Sequence, residues 1–324
     1  MIRVVGANPA MDRISIWQPI RLGDVNRGSQ VFVVPGGKGF NVARAVVRLG
    51  GTAAAHGFLG GRVGQMLREM IALDGVIDRL TSIEAGTRVC FIVVEPELSR
   101  STVLNEPGPH VTEEETQRFL SDLRRDCGPG DIVVLSGSLP DSVPASVAGE
   151  IIAVGNRAGA RTVADIHGDA LWVAAAARPW MVKCNRDELL GLLAEGAPDA
   201  DALARHRAQP LAALAGEMLE VRQRGIEVVV VTLGAEGALL ADKEGVLHAV
   251  VPQVEVVNAT GSGDLLLAGL VAAIERGQTA RAAIVLGAAC GTAGATQLPP
   301  ELPPDFDPGR WTSRISVETV EPAA

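Results

Sequence analysis

Short apolar runs alternate with segments of helical periodicity along most of the chain. The runs are rich in Val and Ile, as expected of buried strands, and they lie at residues 2–5, 131–135, 161–164 and 227–232. Helical spacing is clear at residues 117–125 and 146–157. Strands that are apolar throughout must be covered on both faces, so this order predicts an α/β fold, with a doubly wound, mostly parallel sheet and helices on both faces.

Two segments break this alternation, because strand-like pieces follow one another there without a helix. They predict a small β-sheet lid formed by about residues 12–35 and 88–105. Residues 194–225 are expected to form one or two solvated helices, and the Pro-rich tail beyond Gln297 is expected to wrap the surface. We find no internal repeat or low-complexity linker, so residues 1–324 are predicted to form one domain.

Composition narrows the class of protein. Of the 324 residues, 47% are hydrophobic and 21% charged, which argues against a disordered chain, and the net charge of -9 argues against a general nucleic-acid binder. The cysteines at 90, 127, 184 and 290 have no zinc or redox-pair spacing and are expected to be reduced thiols. The longest uncharged stretch, 282–300, is interrupted by glycines. We therefore expect a soluble, cytoplasmic protein with neither nucleic-acid nor membrane partners.

The strongest chemical signal is the segment NATGSGDLLLAGLVAAIERG at residues 258–277. Its small residues Gly261, Ser262 and Gly263 stand where a loop becomes a helix. Unpaired N–H groups and the helix dipole make such a start a site for anions. Asp264, which follows, is either an ordinary helix-capping acid or a general base that accepts a proton from an attacking hydroxyl.

A second glycine turn, GGKGFNVARAVVRLG at residues 36–50, also leads into an amphipathic helix. It is either a tight strand-to-helix connection with a solvated Lys38 or part of a binding site. It is not a P-loop, because Gly39 stands where that motif needs Ser or Thr. The first strand leads into GANPAMD, which lacks the second and third glycines of a dinucleotide fingerprint.

Three shorter motifs follow predicted strands. NPAMD places Asp12 at the carboxyl edge of the sheet, where open α/β sheets bind ligands. KCNRDE, at residues 183–188, spaces Asn185 and Glu188 one helical turn apart, as in a helix cap or, less often, a metal-phosphate site. TLGAEG, at residues 232–237, closes the next strand with a turn that also suits a plain hairpin. Each motif alone is ambiguous.

In this order, together with SGSLP at residues 136–140, the motifs resemble those of the ribokinase-like (PfkB) family of sugar kinases. The resemblance covers nearly the whole chain, and NATGSGD is its most specific part. It implies a ribokinase-like fold, a β-sheet lid that often pairs two chains, and ATP-dependent phosphorylation of a sugar hydroxyl aided by Mg²⁺.

The resemblance also assigns roles to individual residues. Asp264 would be the catalytic base, and the turn before it the anion hole for the transferred phosphoryl group. Sugar hydroxyls would be bound by Asp12, Gly37 and Asn41. The groups assigned to ATP and its phosphates are Lys183, Asn185, Glu188, Thr232, Gly234 and Gly237, with Glu188 also holding Mg²⁺ through water. Cys184 replaces the usual Pro of the family, and Ala259 and Thr260 precede the glycines, without removing any of these groups.

Within the family, the motifs look most like the branch that includes tagatose-6-phosphate kinase and 1-phosphofructokinase. A phosphorylated substrate needs cations, and Arg27, Lys38 and Arg88 lie in or beside the lid segments. Either arginine alone is more typical of a solvated surface charge than of a binding site. A kinase of free sugars or nucleosides and a non-catalytic sugar-phosphate sensor stay open as alternatives, and the missing fingerprint disfavours an oxidoreductase.

Overall fold

The central sheet carries the functional residues at one of its edges. The computed structural model describes residues 1–98, 100–194 and 196–323. Within these residues the central sheet consists of β1 (Ile2–Val5), β4 (Ala53–His56), β6 (Ile77–Asp78), β10 (Ile132–Gly137), β11 (Arg161–Ile166), β12 (Met181–Asn185), β13 (Val228–Thr232), β14 (Ala238–Asp242), β15 (Gly245–Val250) and β16 (Ser316–Thr319).

The strand order is β16-β15-β14-β13-β12-β11-β10-β1-β4-β6. From β6 to β13 all neighbours are parallel, whereas β14, β15 and β16 are added antiparallel. The carboxyl ends of β1, β10, β11 and β12 therefore meet at one edge, where loops to the following helices collect.

Helices cover both faces of this sheet. On one face, an apolar core joins the strands to α1 (Lys38–Arg48), α2 (Gly61–Leu73), α9 (Ser262–Glu275) and α10 (Ala280–Gly294). On the other, a second core joins them to α3 (Glu113–Asp126), α4 (Ser146–Arg157), α5 (Asp169–Ala176), α6 (Arg186–Ala194) and α8 (Leu211–Gln223). Successive strand residues such as Val4 and Val5 belong to opposite cores. The predicted fold class is confirmed.

A separate sheet forms the lid. Its strands are β2 (Ala10–Ile16), β3 (Gln30–Gly36), β8 (Arg88–Glu95) and β9 (Arg100–Asn105), in the order β3-β2-β8-β9. They fall in or beside the two predicted lid segments. A third, two-stranded sheet pairs β5 (Phe58–Gly60) with β7 (Thr81–Ile83). That residues 1–324 form one domain stays a prediction.

Two expectations need correction. The predicted solvated region contains α7 (Ala200–Arg207) and α8, but α8 buries Leu214 and Met218 in the second core instead of being solvated all round. The Pro-rich tail does more than wrap the surface, because it forms α11 (Pro308–Thr312) and then β16, which extends the central sheet. An unpaired strand edge such as that of β15 favours this addition.

Candidate active site

Two helices begin at the carboxyl edge of the sheet and bring their first turns together. Each is preceded by a glycine with positive φ, Gly37 at 89° before α1 and Gly261 at 82° before α9. Other residues rarely adopt this conformation. Asn41 of α1 donates a hydrogen bond from Nδ2 to Oδ2 of Asp264 on α9, at 2.9 Å. Residues from the two predicted glycine turns thus meet at Asp264.

Asp264 is buried, with 5% of its surface exposed. Burial raises the pKa of Asp264 to about 6, and the Asp165 carboxylate adds to the increase against the opposing effects of Lys183 and Lys38. A carboxylate with this pKa is ionised at neutral pH and is still basic enough to accept a proton. Its setting therefore suits a general base, although capping the first turn of α9 is compatible with the same position.

Asp12 faces the same site from β2 of the lid. A Cβ on Gly36 would lie 2.0 Å from Cγ of Asp12, so this carboxyl group occupies space that only a glycine at position 36 leaves free. Burial raises the pKa of Asp12 to about 6, although the Arg88 guanidinium and the Gly37 N–H oppose the increase. Both acids are thus partly desolvated beside one cavity.

That cavity has a volume of about 360 Å³. Predicted site residues make up most of its lining, namely Asp12, Gly37, Lys38, Asn41, Arg88, Lys183, Asn185, Glu188, Thr232, Gly261, Gly263 and Asp264. The apolar part of the wall comes from the lid strands, through residues such as Cys90 and Ile92. The structure therefore brings both predicted substrate residues and predicted nucleotide residues to one cavity.

A second cavity, of about 260 Å³, adjoins the first and shares Gly37, Lys38, Arg88 and Asn105 with it. Arg88 is held there by hydrogen bonds from Nη2 to Asn8 O, at 2.9 Å, and from Nη1 to Glu106 O, at 3.2 Å. Among the described residues, its buried Nε has no hydrogen-bond partner. A buried donor without a partner is costly, so this geometry fits an anionic ligand.

The KCNRDE and TLGAEG motifs contribute Lys183, Asn185, Glu188 and Thr232 to the wall of the first cavity. Asn185 and Glu188 cap α6 reciprocally, since each backbone N–H donates to the other side chain, at 2.8 and 2.9 Å. Thr232 ends β13 in the cavity wall. Gly234 lies beyond it in the turn to β14, whereas a Cβ on Gly237 would lie 2.0 Å from Ala249 O. Gly237 therefore packs the hairpin, and neither Gly234 nor Gly237 lines either cavity.

Arg27 does not join this group. It lies in a separate depression at the tip of the lid with Trp17, Arg21 and Glu97, away from Lys38 and Arg88. Within one chain, only Lys38 and Arg88 of the three predicted basic residues converge on the two cavities. The loop between β2 and β3, which carries Arg27, is long enough to project beyond the sheet.

Several residues at the site were not predicted. Asp165 is buried between Lys183 and Lys38, and Asn8, Ser138 and His167 line the second cavity. In the sequence, Asp165 directly follows the apolar run at residues 161–164, and an acid at the carboxyl end of a strand is typical of a ligand site in an open α/β sheet.

A buried acid at an open helix start, with cations around adjoining polar cavities, is typical of a phosphotransferase. The comparisons agree. Residues 3–299 match the model of the pfkB family of carbohydrate kinases. The 1-phosphofructokinase of Bacillus subtilis (strain 168) is 32% identical over 295 residues, which are 91% of this chain and 92% of that protein.

Solved structures extend the similarity. Phosphofructokinase-2 from Escherichia coli in complex with substrates and products has a TM-score of 0.86 and 26% identity, over 96% of this chain and 98% of that one. The same enzyme in complex with fructose-6-phosphate has a TM-score of 0.80 and 27% identity, over 91% and 93% of the two chains. The chain belongs to the pfkB family of carbohydrate kinases, and it is an ATP-dependent sugar kinase.

Proposed function

We propose that this kinase transfers the γ-phosphoryl group of ATP to a hydroxyl of a ketohexose phosphate, in the manner of a 1-phosphofructokinase or a tagatose-6-phosphate kinase. The observation that carries the proposal is the adjoining pair of cavities, with Asp264 beside the first and the incompletely paired Arg88 guanidinium shared by both. Similarity to 1-phosphofructokinase supports it.

In the proposed reaction, Asp264 accepts the proton of the attacking sugar hydroxyl. The oxygen of that hydroxyl forms a bond to the γ-phosphorus as the bond from that phosphorus to the bridging oxygen breaks, and ADP leaves. Charge on the moving phosphoryl group is stabilised by the N–H groups of Gly261 and Gly263 at the start of α9 and by Lys183, whereas the N–H of Ser262 already donates to Ala259 O at 3.2 Å.

Sugar recognition falls to Asp12, Asn41 and Gly37. The amide oxygen Oδ1 of Asn41 is buried and has no hydrogen-bond partner within the described residues, so a sugar hydroxyl can donate to it. Lys38 and Arg88 bind the phosphate that the sugar already carries. Thr232 and Asn185, which line the first cavity, bind ATP together with Gly234 in the turn that follows, and Gly237 shapes that turn.

The residues present fit a Mg²⁺ ion brought in with ATP. No described group of three or more His, Cys, Asp or Glu side chains could form a metal site by itself. Mg²⁺ commonly keeps several waters and uses one or two carboxylates plus substrate phosphates. Only Oε2 of Glu188 is used in capping α6, which leaves Oε1 for such a water-mediated contact. When bound, the ion would neutralise charge on the β- and γ-phosphates.

We also propose pairing of two chains through the lid. Val33, Phe91 and Leu104 form an exposed row on its outer face, with 38%, 41% and 55% of their surfaces exposed. Arg13 of β2 stands between Val33 and Phe91 in this row, and exposed apolar residues rimmed by a charged one are typical of an interface. Sedimentation velocity at micromolar concentration tests the pairing, and a purely monomeric protein would contradict it.

A cytoplasmic location remains our proposal. All four cysteines are free thiols, three of them buried, which agrees with a reducing compartment. No helix in the described parts of the chain is both long and apolar enough to cross a membrane.

ADP release in a coupled assay tests the substrate class. The panel contains tagatose 6-phosphate, fructose 1-phosphate, fructose 6-phosphate, free fructose, ribose and a nucleoside. We expect one of the ketohexose phosphates to have the highest kcat/KM. A free sugar or nucleoside as the best substrate would retain the kinase and reject the hexose-phosphate assignment, and no turnover of any compound would favour a sensor.

Replacing Gly263 with valine should damage turnover while the fold survives. Position 263 needs no positive φ, and its Cβ would lie 3.4 Å from Nζ of Lys183, an ordinary contact. The γ-methyl groups of valine would crowd the path of the phosphoryl group, so we expect kcat to fall by at least about tenfold. Gly263→Ala is the matched control and should fold normally. Normal kcat in Gly263→Val, measured with saturating ATP and sugar phosphate, would show that Gly263 is only a turn residue.

A further inference from the structure

A buried carboxylate that has no assigned role lies against two lysines of the site. Asp165 is the penultimate residue of β11, and only 2% of its surface is exposed. In the parallel register it lies beside Ser136 of β10. One step earlier along the same face are Val134 and Val163, which belong to the apolar core. An acid placed directly above an apolar core is costly unless its charge is compensated.

The compensation comes from two lysines. Nζ of Lys183 donates to Oδ1 of Asp165 at 2.7 Å, and Nζ of Lys38 lies 3.8 Å from the same oxygen. Oδ2 accepts a hydrogen bond from Oγ of Ser136 at 2.9 Å. Burial by itself raises the pKa of Asp165, but Lys183 and Lys38 outweigh it and hold that pKa below its usual range. Asp165 is therefore an anion that two cations share.

These two lysines lie at different places in the site. Lys38 is the first residue of α1 and lines both cavities. Lys183 is nearly buried and lies below the first turn of α9, next to Gly263. A single carboxylate thus connects the region proposed for the sugar phosphate with the region proposed for the transferred phosphoryl group.

We propose that Asp165 is a positioning residue, which holds Lys183 and Lys38 on the two sides of the reacting groups and keeps their charges directed into the cavity. This inference rests on the proposed function. Without the carboxylate, each ammonium group would be free to fold onto the nearest remaining acid, and Asp264 is the acid that both lysines approach. In that contact, the ammonium groups that should bind phosphates would instead pair with Asp264 and neutralise the proposed base.

The arrangement has a consequence for the pH dependence of the enzyme. The groups that face Asp264 are Asp165 from β11, Lys183 from β12, Lys38 and Asn41 from α1 and Asp12 from β2. Asp165 is the member that raises the pKa of Asp264 most after burial itself, whereas Lys183 lowers it. Loss of either charge should therefore move the acid limb of kcat/KM, and the two losses should move it in opposite directions.

A double-mutant cycle of Asp165→Asn and Lys183→Gln tests the proposal. We expect kcat to fall by at least about tenfold in each single variant, and the double variant to lie within about threefold of Lys183→Gln alone, because Lys183 at 2.7 Å is the closer partner and Lys38 at 3.8 Å adds only a smaller effect. The acid limb of kcat/KM should move to lower pH in Asp165→Asn and to higher pH in Lys183→Gln. The sugar phosphate itself titrates, so the variants are compared on the same substrate.

Asp165→Asn leaves a buried ammonium group without its partner and is the variant most at risk of misfolding. The double variant removes that orphaned charge, so it supplies the comparison if the single variant does not fold. The acid limb of kcat/KM in the double variant should then lie at lower pH than the acid limb in Lys183→Gln. Ser136→Ala keeps all charges and should leave the acid limb in place.

The inference would be overturned if the two decreases in kcat multiply in the double variant, or if the acid limb stays in place when Asp165 is replaced. Neither result would contradict the proposed kinase function. A wild-type enzyme that phosphorylates no sugar phosphate would overturn the proposed function and this inference with it.

Discussion

Asp264→Asn should reduce kcat by at least about a hundredfold, the lower end for loss of a general base. The buried carboxylate lies where the helix start would otherwise attract anions, and an amide there cannot accept the hydroxyl proton. Its carbonyl oxygen can still accept the hydrogen bond from Asn41 Nδ2, so the fold and ATP affinity should change little. Steady-state kinetics with saturating substrates, beside ATP titration calorimetry, measures both effects.

The pH dependence separates a base from a helix cap. Wild-type activity should decline as the pH falls through about 6, because Asp264 then takes up a proton and loses its function. The residual activity of Asp264→Asn should lack the part of this limb that comes from Asp264. Retention of more than a tenth of the wild-type kcat would leave Asp264 as a capping residue only.

Stability provides the control for that variant. Burial raises the pKa of Asp264 to about 6 in the folded chain, so the folded state binds its proton more tightly than the unfolded state does. The contribution to stability is full below the unfolded pKa of about 4 and is lost as the pH rises through 6. At pH 8 Asp264→Asn avoids this loss, and its thermal midpoint should not be lower than that of the wild type.

Arg88→Ala should reduce kcat/KM for the sugar phosphate by roughly tenfold or more, as expected for loss of charge-assisted hydrogen bonds. The side chain is anchored by two carbonyl oxygens, and its Nε stays buried beside the second cavity without a partner within the described residues. Since the site holds cations that need an anion, the same enzyme should prefer a ketohexose phosphate to the free sugar by several orders of magnitude.

The effect should appear in KM for the sugar phosphate much more than in KM for ATP. Lys38→Ala should behave similarly, because Lys38 lines both cavities. Arg62→Ala is the matched control, since Arg62 is an exposed arginine of α2 outside both cavities. Equal changes in both KM values, or a free sugar that is used as well as its phosphate, would remove Arg88 and Lys38 from substrate recognition.

Local patterns were enough to identify strands β1, β10, β11 and β13, helix α4 and the acid Asp264. Helix α4 occurs where the periodicity predicts it, because an amphipathic face reports burial directly. Residues 53–56 were not predicted as a strand, since three alanines there have weak β propensity. Their burial between β1 and β6 decides their conformation.

The glycine turns and the alternation of apolar strands with helices are therefore determined by the local sequence, because each depends on neighbouring residues. Contacts between distant segments were decided only by the tertiary structure. Asn41 meets Asp264 across 223 positions, and Asp165 becomes the shared partner of Lys183 and Lys38. Arg27 is left outside the cavities for the same reason. Such contacts depend on the strand order and on where helices α1 and α9 begin above the sheet, and no periodicity along the chain encodes these distances.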